Sequence, residues 1–359
     1  NNRLYPSRTP NPNITWEVGT TYNVGLDFKF LQNRLSWETD VFYHKRTNML
    51  ISRNASLPEI TGITLPRENL GEMKNRGFES LVSWQDKIGE VEYGASLNMT
   101  YARNEITFWD EVQNVPEYQF STGRPVGSRN MLLYVADGIF HTQAEIDEAR
   151  AKGLLYSDNT VPGDIRFKDM NGDGIIDSQD EVALGYTNMP EIIYGFGATA
   201  QWRNWDFNVF FQGVAHTSFF LAGASLRSPF SSGSMERSAV NADIYGNVWM
   251  STNTPEQNAN AIYPRLSLSN EAGSSNNKQN SDWWMRDGSF LRLKNFEVGY
   301  TFPKKWLGKN VVRSLRVYVA ANNLLTFSKF KLWDPEKGSS DGSGYPLNRV
   351  ITLGFNINL

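Results

Sequence analysis

One stretch of the sequence, from Asp169 to Asp180, has residue types and a spacing that suit a metal ion. Oxygen-bearing side chains stand at positions 1, 3, 5, 9 and 12 of a twelve-residue loop, with glycine at position 6 and a usable backbone carbonyl at position 7. The pattern predicts a Ca²⁺ site, with Mg²⁺ as the alternative, because such an oxygen cage is large and flexible. The predicted ligands are Asp169, Asn171, Asp173, Ile175, Asp177 and Asp180. The competing interpretation is an Asx-rich turn that satisfies its own backbone.

Residue types for covalent or acid–base catalysis do not group in the sequence. The three histidines, His44, His141 and His216, are far apart, and cysteine is absent, so zinc or Ser–His–Asp chemistry has no anchor. We therefore expect a protein that is not an enzyme. Several carboxylates instead alternate with apolar residues and are more simply the wet lining of a barrel. These are Glu17, Asp27, Glu38, Asp40, Glu92 and Asp206.

Aromatic residues are frequent between the regular segments. They could stack on sugar rings, or they could pack loops or meet a partner, and the sequence leaves these alternatives open. The residues in question are Trp109, Tyr118, Trp249, Trp283 and Trp284. A short helix is also predicted at 142–152, where Thr142 and Glu145 form a capping box and Gly153 follows as a stop.

The overall composition excludes some classes of protein. The chain has 359 residues with 35 basic and 38 acidic side chains, a formal net charge of −3, which argues against nucleic-acid binding. Aromatic residues make up 13% of the chain. The sequence contains no run of eighteen apolar residues, so no transmembrane helix is expected.

The elements that must position these residues are strands of unusual length. Between Glu17 and Phe30 apolar and polar residues alternate almost without error, which indicates a strand with one apolar and one wet face. Similar alternation predicts nine strands in all, with a bulge where Arg292 and Lys294 interrupt the seventh. The predicted strands are 17–30, 35–44, 78–85, 91–101, 194–202, 205–212, 290–302, 315–321 and 347–359.

The connections between these strands alternate between short and long. Short turns are expected at 32–34, 87–89, 203–204 and 303–313, and long loops at 49–71, 105–190, 217–287 and 327–345. Short turns at one rim and long loops at the other are typical of outer-membrane barrels. A soluble propeller or sandwich would have shorter strands and evenly short links. The sequence therefore predicts an all-β, antiparallel transmembrane barrel.

Nine is an odd number of strands, whereas single-chain bacterial outer-membrane barrels have even numbers. We therefore expect residues 1–359 to be the C-terminal portion of a larger barrel, interrupted in an external loop, with the missing strands supplied by the rest of the polypeptide.

Local motifs resemble those of the SusC-like TonB-dependent transporters of Bacteroidetes, also called the SusC/RagA family. The segment from Asn11 to Glu17 (NPNITWE) is similar to the element before a strand in that family, and Asn75–Glu79 (NRGFE) to a strand start. The loop from Gly163 to Gly174 resembles a family loop of the form GDIxxxDxNGDG. Elements near the end also match in order: Leu291–Asn295 (LRLKN), Asn322–Leu324 (NNL), Trp333–Glu336 (WDPE) and Tyr345–Leu347 (YPL).

The resemblance implies a barrel of about 22 strands with an N-terminal plug, of which these would be the last nine. It implies location in the outer membrane, contact with membrane lipid, a SusD-like lipoprotein partner and energy from TonB through the missing N-terminal part. The expected substrate is an oligosaccharide, with oligopeptides as runner-up, and no nucleic acid or organic cofactor is expected. The alternatives are an outer-membrane barrel enzyme and a soluble glycan-binding β protein. The terminal Leu359 departs from the Phe that ends many outer-membrane barrels.

Overall fold

The computed structural model shows one large antiparallel sheet with the strands in chain order. The structure describes residues 10–53, 66–112, 115–127, 131–221, 242, 244–266, 276–307, 312–338, 342 and 344–359. The nine strands of the sheet are β1 (Val18–Phe30), β2 (Leu35–Ile51), β3 (Glu68–Ile88), β4 (Val91–Phe108), β5 (Ile192–Trp202), β6 (Trp205–Ala215), β7 (Phe290–Thr301), β8 (Ser314–Ser328) and β9 (Val350–Asn358). The predicted mostly-β fold and its nine strands are confirmed.

Short and long connections alternate as the sequence predicts. The turn between β1 and β2 bends through Leu31, Gln32 and Asn33, whose φ angles are 55°, 59° and 67°. Gly89 turns β3 into β4 with a φ of 59°, a left-handed conformation that suits glycine. The four long connections, 52–67, 109–191, 216–289 and 329–349, all leave the opposite rim.

The register of the strands makes one face of the sheet continuously apolar. Directly opposed residues in antiparallel strands share a face. Val82 lies opposite Leu97, Leu97 opposite Phe196, and Phe196 opposite Phe211. Beyond the bulge the row continues through Leu293 and Leu325. The predicted orientation of β9 fits this face, since Leu353 opposes Val319 while Thr352 lies on the other side against Ala320.

The predicted bulge is present in β7. Its register against β8 shifts between Leu293 and Asn295, so Lys294 has no direct cross-strand partner there. Asn323 of β8 has a φ of 52°, a left-handed conformation that absorbs the extra residue on that strand. The alternation of β7 is therefore interrupted where two cations are close in sequence.

Several strands run farther toward the long loops than the sequence indicates. β3 begins at Glu68 and β2 continues to Ile51, ten and seven residues beyond their predicted bounds at Phe78 and His44. In these extensions charged and polar residues occupy both faces. Apolar alternation is the only periodic signal of a half-buried strand, and it fades where neither face is apolar.

The long connections contain short elements of their own. Their strands pair as Leu132–Leu133 with Val182–Ala183, Ala136–Ile139 with Ile165–Phe167, and Ser218–Phe220 with Met285–Asp287. Within the described parts of these connections there are two helices, α1 (Gln143–Ala151) and α2 (Pro255–Ala259). Helical turns of the 3₁₀ type occur at Glu117–Gln119, Ser178–Asp180, Asp282–Trp284, Lys304–Trp306 and Pro335–Lys337.

The predicted helix at 142–152 is confirmed as α1. The Thr142 side chain accepts the backbone N–H of Glu145 at 3.3 Å. The Glu145 carboxylate accepts the N–H of His141 at 2.9 Å, one residue earlier than in a standard capping box. Gly153, with a φ of 78°, follows the C-terminus as expected.

The hydrophobic core lies among the long connections and not within the sheet. Trp284, Ile165, Leu221 and Ile244 are fully buried there. The sheet residues, in contrast, expose their apolar face. Among the residues that the structure describes, every helix is too short or too polar to cross a bilayer.

Candidate functional site

The inner face of the sheet, opposite the apolar face, carries the polar residues that the sequence singles out. Asp27 lies opposite Glu38, Gly25 opposite Asp40, and Glu92 opposite Lys87 in the register. Asp206 occupies the same face on β6, opposite Gly299. Glu17, just before β1, contacts the inner-face Arg46 with its Oε2 atom 3.5 Å from Nη1. The six predicted lining carboxylates are therefore on one face.

A charged cluster surrounds Arg316 near the short-turn rim of the inner face. Its Nε donates to Asp206 Oδ1 at 3.0 Å, and its Nη2 also contacts Asp206 and Glu297. The guanidinium carbon lies 4.9 Å from the ring centre of Tyr318. A Cβ atom on Gly299 would overlap this guanidinium, so glycine makes the cluster possible. The cluster links β6, β7 and β8 through side-chain contacts, in addition to the backbone hydrogen bonds between these strands.

A second cluster lies at the opposite end of the inner face, around Arg292 of β7. Arg292 is only 2% exposed and pairs with Asp334, which follows β8. Its Nε also lies 3.0 Å from Glu336 Oε2, without hydrogen-bond alignment, and Lys294 Nζ lies 3.1 Å from Glu336 Oε1. The bulge thus lets both cations reach one carboxylate. Two family-like motifs, LRLKN and WDPE, therefore contact each other through ion pairs.

The loop from Asp169 to Asp180 is held by its own side chains. Asp169 accepts the N–H groups of Gly172 at 2.6 Å and Gly174 at 2.9 Å. Asp173 accepts the N–H of Ile175 at 2.9 Å, and Asp180 accepts that of Asp177 at 2.9 Å. The side chain of Asn171 accepts the N–H of Asp173 at 2.9 Å. Asp177 accepts the N–H of Gln179 at 2.7 Å, beginning the 3₁₀ turn Ser178–Asp180.

These hydrogen bonds make the loop an Asx-rich turn, and they place several carboxylates close together where a cation could bind. Within the described part of the chain, no three His, Cys, Asp or Glu side chains form a metal-ligating group. The nearby Tyr118 hydroxyl donates to the Gln179 carbonyl. Burial, and then the negative charges of Asp180, Asp173, Asp177 and Asp169, raise the pKa of Tyr118. The loop therefore concentrates negative charge in a small volume.

The aromatic residues of the long connections divide into different roles. Trp284 is fully buried and donates its Nε1–H to the Asn277 carbonyl at 3.1 Å. Trp249 is also buried, and Trp283 packs against the same core. The buried rings of Trp249 and Trp284 pack loops and offer no open face for a sugar, whereas Trp283 is partly exposed. Tyr118 and Trp109 remain partly exposed.

A buried polar network, which the sequence analysis did not identify, fastens two long connections together. Asp164 is fully buried and receives Arg265 Nε at 2.7 Å and Asn277 Nδ2 at 3.3 Å. Asn277 in turn accepts the N–H of Ile165 at 2.9 Å. Only the Gly163–Ile165 motif marks part of this network in the sequence, because its partners are about a hundred residues away.

The three histidines have separate environments. His44 Nδ1 lies 2.7 Å from the Thr21 hydroxyl on the inner face. His141 precedes α1, and His216 stacks on Tyr186 with ring centres 4.3 Å apart. His216 Nδ1 also lies 3.2 Å from Glu191 Oε2.

Comparison with known proteins gives a consistent result. Residues 1–171 match the family described as TonB dependent receptor-like, beta-barrel. The chain is 30% identical to TonB-dependent receptor P26 of Formosa agariphila, over 98% of this chain and 35% of the relative. It is 26% identical to TonB-dependent receptor SusC of Bacteroides thetaiotaomicron, over 97% of this chain and 32% of SusC. The chain thus spans about a third of the length of these relatives.

A solved structure shares the fold. The RagAB peptide importer in its open-open state superposes with a TM-score of 0.68 at 24% identity, over 98% of this chain and 36% of that chain. The family match and these likenesses confirm the resemblance seen in the motifs: the chain is similar to TonB-dependent receptors of the SusC type, which are outer-membrane proteins.

Proposed function

We propose that this chain forms part of the wall of a TonB-dependent outer-membrane importer of the SusC type. The observation that carries the proposal is the register of the nine strands, which keeps one face apolar and the other polar in all nine strands, up to the charged extensions of β2 and β3. Such a wall faces lipid on one side and a water-filled passage on the other. The long connections lie on the external side and the short turns on the periplasmic side.

The wall needs further strands to complete it. Within the described residues, β1 and β9 are each paired on one side only. Unsatisfied backbone groups in lipid cost several kcal/mol each, so we propose that the rest of the polypeptide closes a barrel of about 22 strands around a plug. TonB would act on that plug, and a SusD-like lipoprotein would cover the external side.

Expression of residues 1–359 alone tests the closure. Heat modifiability in detergent gels and resistance to protease should both be absent, and they should be present in the complete receptor. A closed, protease-resistant monomer of this piece would show that the sheet can be completed without other strands.

For the substrate we propose an oligosaccharide. Amide and hydroxyl side chains, which both donate and accept hydrogen bonds as sugar hydroxyls require, dominate the inner face between the charged clusters. They include Ser36, Ser83, Ser96, Asn98, Thr100, Thr199, Asn208, Gln212, Asn295, Asn322, Thr326 and Thr352. The runner-up is an oligopeptide of basic character, favoured by the acidic neighbours Asp27 and Glu38 and by Asp40 opposite Glu79.

One pair of variants separates the two substrates. The double variant Asp27→Asn with Glu38→Gln removes two negative charges and keeps the shape of the wall. In the complete receptor with its lipoprotein, uptake or capture of neutral oligosaccharides should be unchanged. A marked loss of basic-peptide binding in the same variant, with no saccharide bound by the wild type, would overturn the oligosaccharide assignment.

We also propose Ca²⁺ as the ligand of the loop from Asp169 to Asp180. Each carboxylate oxygen has a second lone pair after it accepts one backbone N–H, so the observed turn and an ion are compatible. Ile176 is buried in the loop core and fixes the middle of the segment. The ion would be bound by Asp169, Asn171, Asp173, Asp177 and Asp180, with the Ile175 carbonyl, and would offset their mutual repulsion.

A further inference from the structure

The apolar face of β1 to β4 ends in aromatic residues on the side of the long connections. Tyr22 and Tyr43 lie with ring centres 6.4 Å apart, and Phe78 and Tyr101 lie 6.0 Å apart. Aromatic rows of this kind mark the boundary between hydrocarbon and headgroups in outer-membrane barrels. At the other rim, Trp202 opposes Trp205, which opposes Tyr300.

Two arginines stand at the upper edge of this aromatic group, two residues beyond Phe78 and Tyr101 along their strands. Arg76 lies opposite Tyr43 on one side and opposite Arg103 on the other. It stands two residues from Phe78 on the same face, which places its Cα about 7 Å farther along the strand. The register therefore places both arginines on the outer face of their strands, at headgroup height.

The lysines next to these arginines are already paired with carboxylates. The next register step holds Lys45 and Lys74, whose Nζ atoms already pair with Glu72 at 3.1 Å and Glu105 at 2.7 Å. These two lysines are therefore largely neutralised.

The positive charges of the two arginines are less completely neutralised by neighbouring carboxylates. Arg103 Nε lies 3.7 Å from Glu191 Oε1, and the same carboxylate also contacts His216. Arg76 is exposed and makes no ion pair with any described residue. Like charges directly opposite in neighbouring strands are destabilising, so an anion between Arg76 and Arg103 would be stabilising.

We propose that Arg76 and Arg103 bind the phosphate groups of an anionic lipid headgroup in the outer leaflet. Guanidinium groups hold phosphate oxygens bidentately, and cationic side chains at a membrane surface attract anionic lipid. A lipid is the favoured source of the phosphate because the site continues directly from the apolar face that its acyl chains would cover. The inference rests on the proposed orientation of the sheet in the membrane.

The test uses the complete receptor in detergent micelles and two probes, lipid A carrying both phosphates and the same lipid after removal of its phosphates. Native mass spectrometry measures how much of each is retained. We expect the bisphosphorylated lipid to be preferred, and the variant R76Q/R103Q to bind it about tenfold more weakly. The matched control R34Q/R203Q removes two exposed arginines from the opposite rim, where they pair with Asp86 and Glu90, and should change nothing.

Each contrary outcome has a distinct meaning. Equal retention of the two lipids by the wild type would overturn the phosphate site while leaving the membrane orientation intact. An equal loss of lipid binding in the control variant would show that net charge alone causes the effect, which would overturn the proposal. Inorganic phosphate that competes at a similar concentration would show that the site binds a free anion and not a lipid, which would also overturn it. If the double variant does not fold, R76Q alone, which breaks no ion pair, decides the question by the same comparison.

Discussion

Substitution of Leu353 by arginine tests which face of the sheet meets lipid. Leu353 is 76% exposed and lies in the apolar row beside Val319. It stands three residues from one end of β9 and five from the other. At about 3.4 Å per residue and a tilt of about 40°, these distances are roughly 8 and 13 Å along the membrane normal. The side chain is therefore close to the middle of an apolar band about 25 Å tall.

The expected cost follows from this depth. An arginine at the bilayer midplane destabilises a barrel by about 2–4 kcal/mol, which corresponds to roughly 30-fold to 900-fold in the folding equilibrium. The matched variant, Thr352→Arg, places the same charge on the inner face beside Ala320. It should cost much less because water reaches that face.

Folding of the complete receptor into lipid vesicles, followed by heat-modified migration in gels, measures both variants. The wild type and Thr352→Arg should fold to similar yields, and Leu353→Arg to a much lower one. Equal yields for the two variants, or a larger loss for Thr352→Arg, would refute the assignment of the faces.

Three further predictions concern the long connections. Asp334→Ala should destabilise the segment 329–349 by about 3 kcal/mol, the lower end for a buried pair because Glu336 remains. Arg292→Leu should cost less, because the carboxylates that it leaves unpaired, Asp334 and Glu336, are 14% and 27% exposed and water can reach them. Protease cleavage of both variants measures the difference. Burial raises the pKa of Glu181, so its contribution to stability is present at low pH and is lost as the pH rises through that raised pKa. Glu181→Gln should accordingly slow proteolysis around residue 181 at neutral pH and have no effect in acid; equal effects at both pH values would contradict this. Asp173→Ala should speed cleavage between 160 and 190, chelation should do the same to the wild type and add nothing to the variant, and Glu148→Ala on α1 is the control that should stay unchanged.

The wall could be predicted from the sequence because its rule is local. Alternation along β1 or β9 directly indicates one apolar and one polar face, and it can be recognised without knowledge of the neighbouring strands. The dependence on apolar alternation also explains why the predicted strands are too short. The segment from Glu68 to Gly77 forms the upper half of β3, yet its charged residues show no apolar face.

The polar clusters of the candidate site could be predicted only in part, because the residues that contact each other are far apart in the sequence. Arg292 and Lys294 interrupt an apolar pattern and so predict a bulge, but nothing beside Arg292 in the sequence indicates Asp334 as its partner. Asp164 likewise meets Arg265 across 101 positions. The loop from Asp169 to Asp180 is the contrary case, since its oxygen-bearing side chains and its turn lie within twelve residues. The Asx-rich turn that the structure shows is the alternative that the sequence left open, and the Ca²⁺ site remains a prediction.

The shared core of the long connections limits how this protein can diversify. Tyr134, Trp284 and Phe330 belong to three different connections, yet all three side chains are buried in one cluster. A chimera that takes a single connection from a relative would leave the other two facing a cavity or a clash, at a cost of several kcal/mol per large side chain. The three connections should therefore be inherited and exchanged as a block. Changes of specificity by single substitutions are then confined to their exposed surfaces, where no neighbouring connection has to adjust.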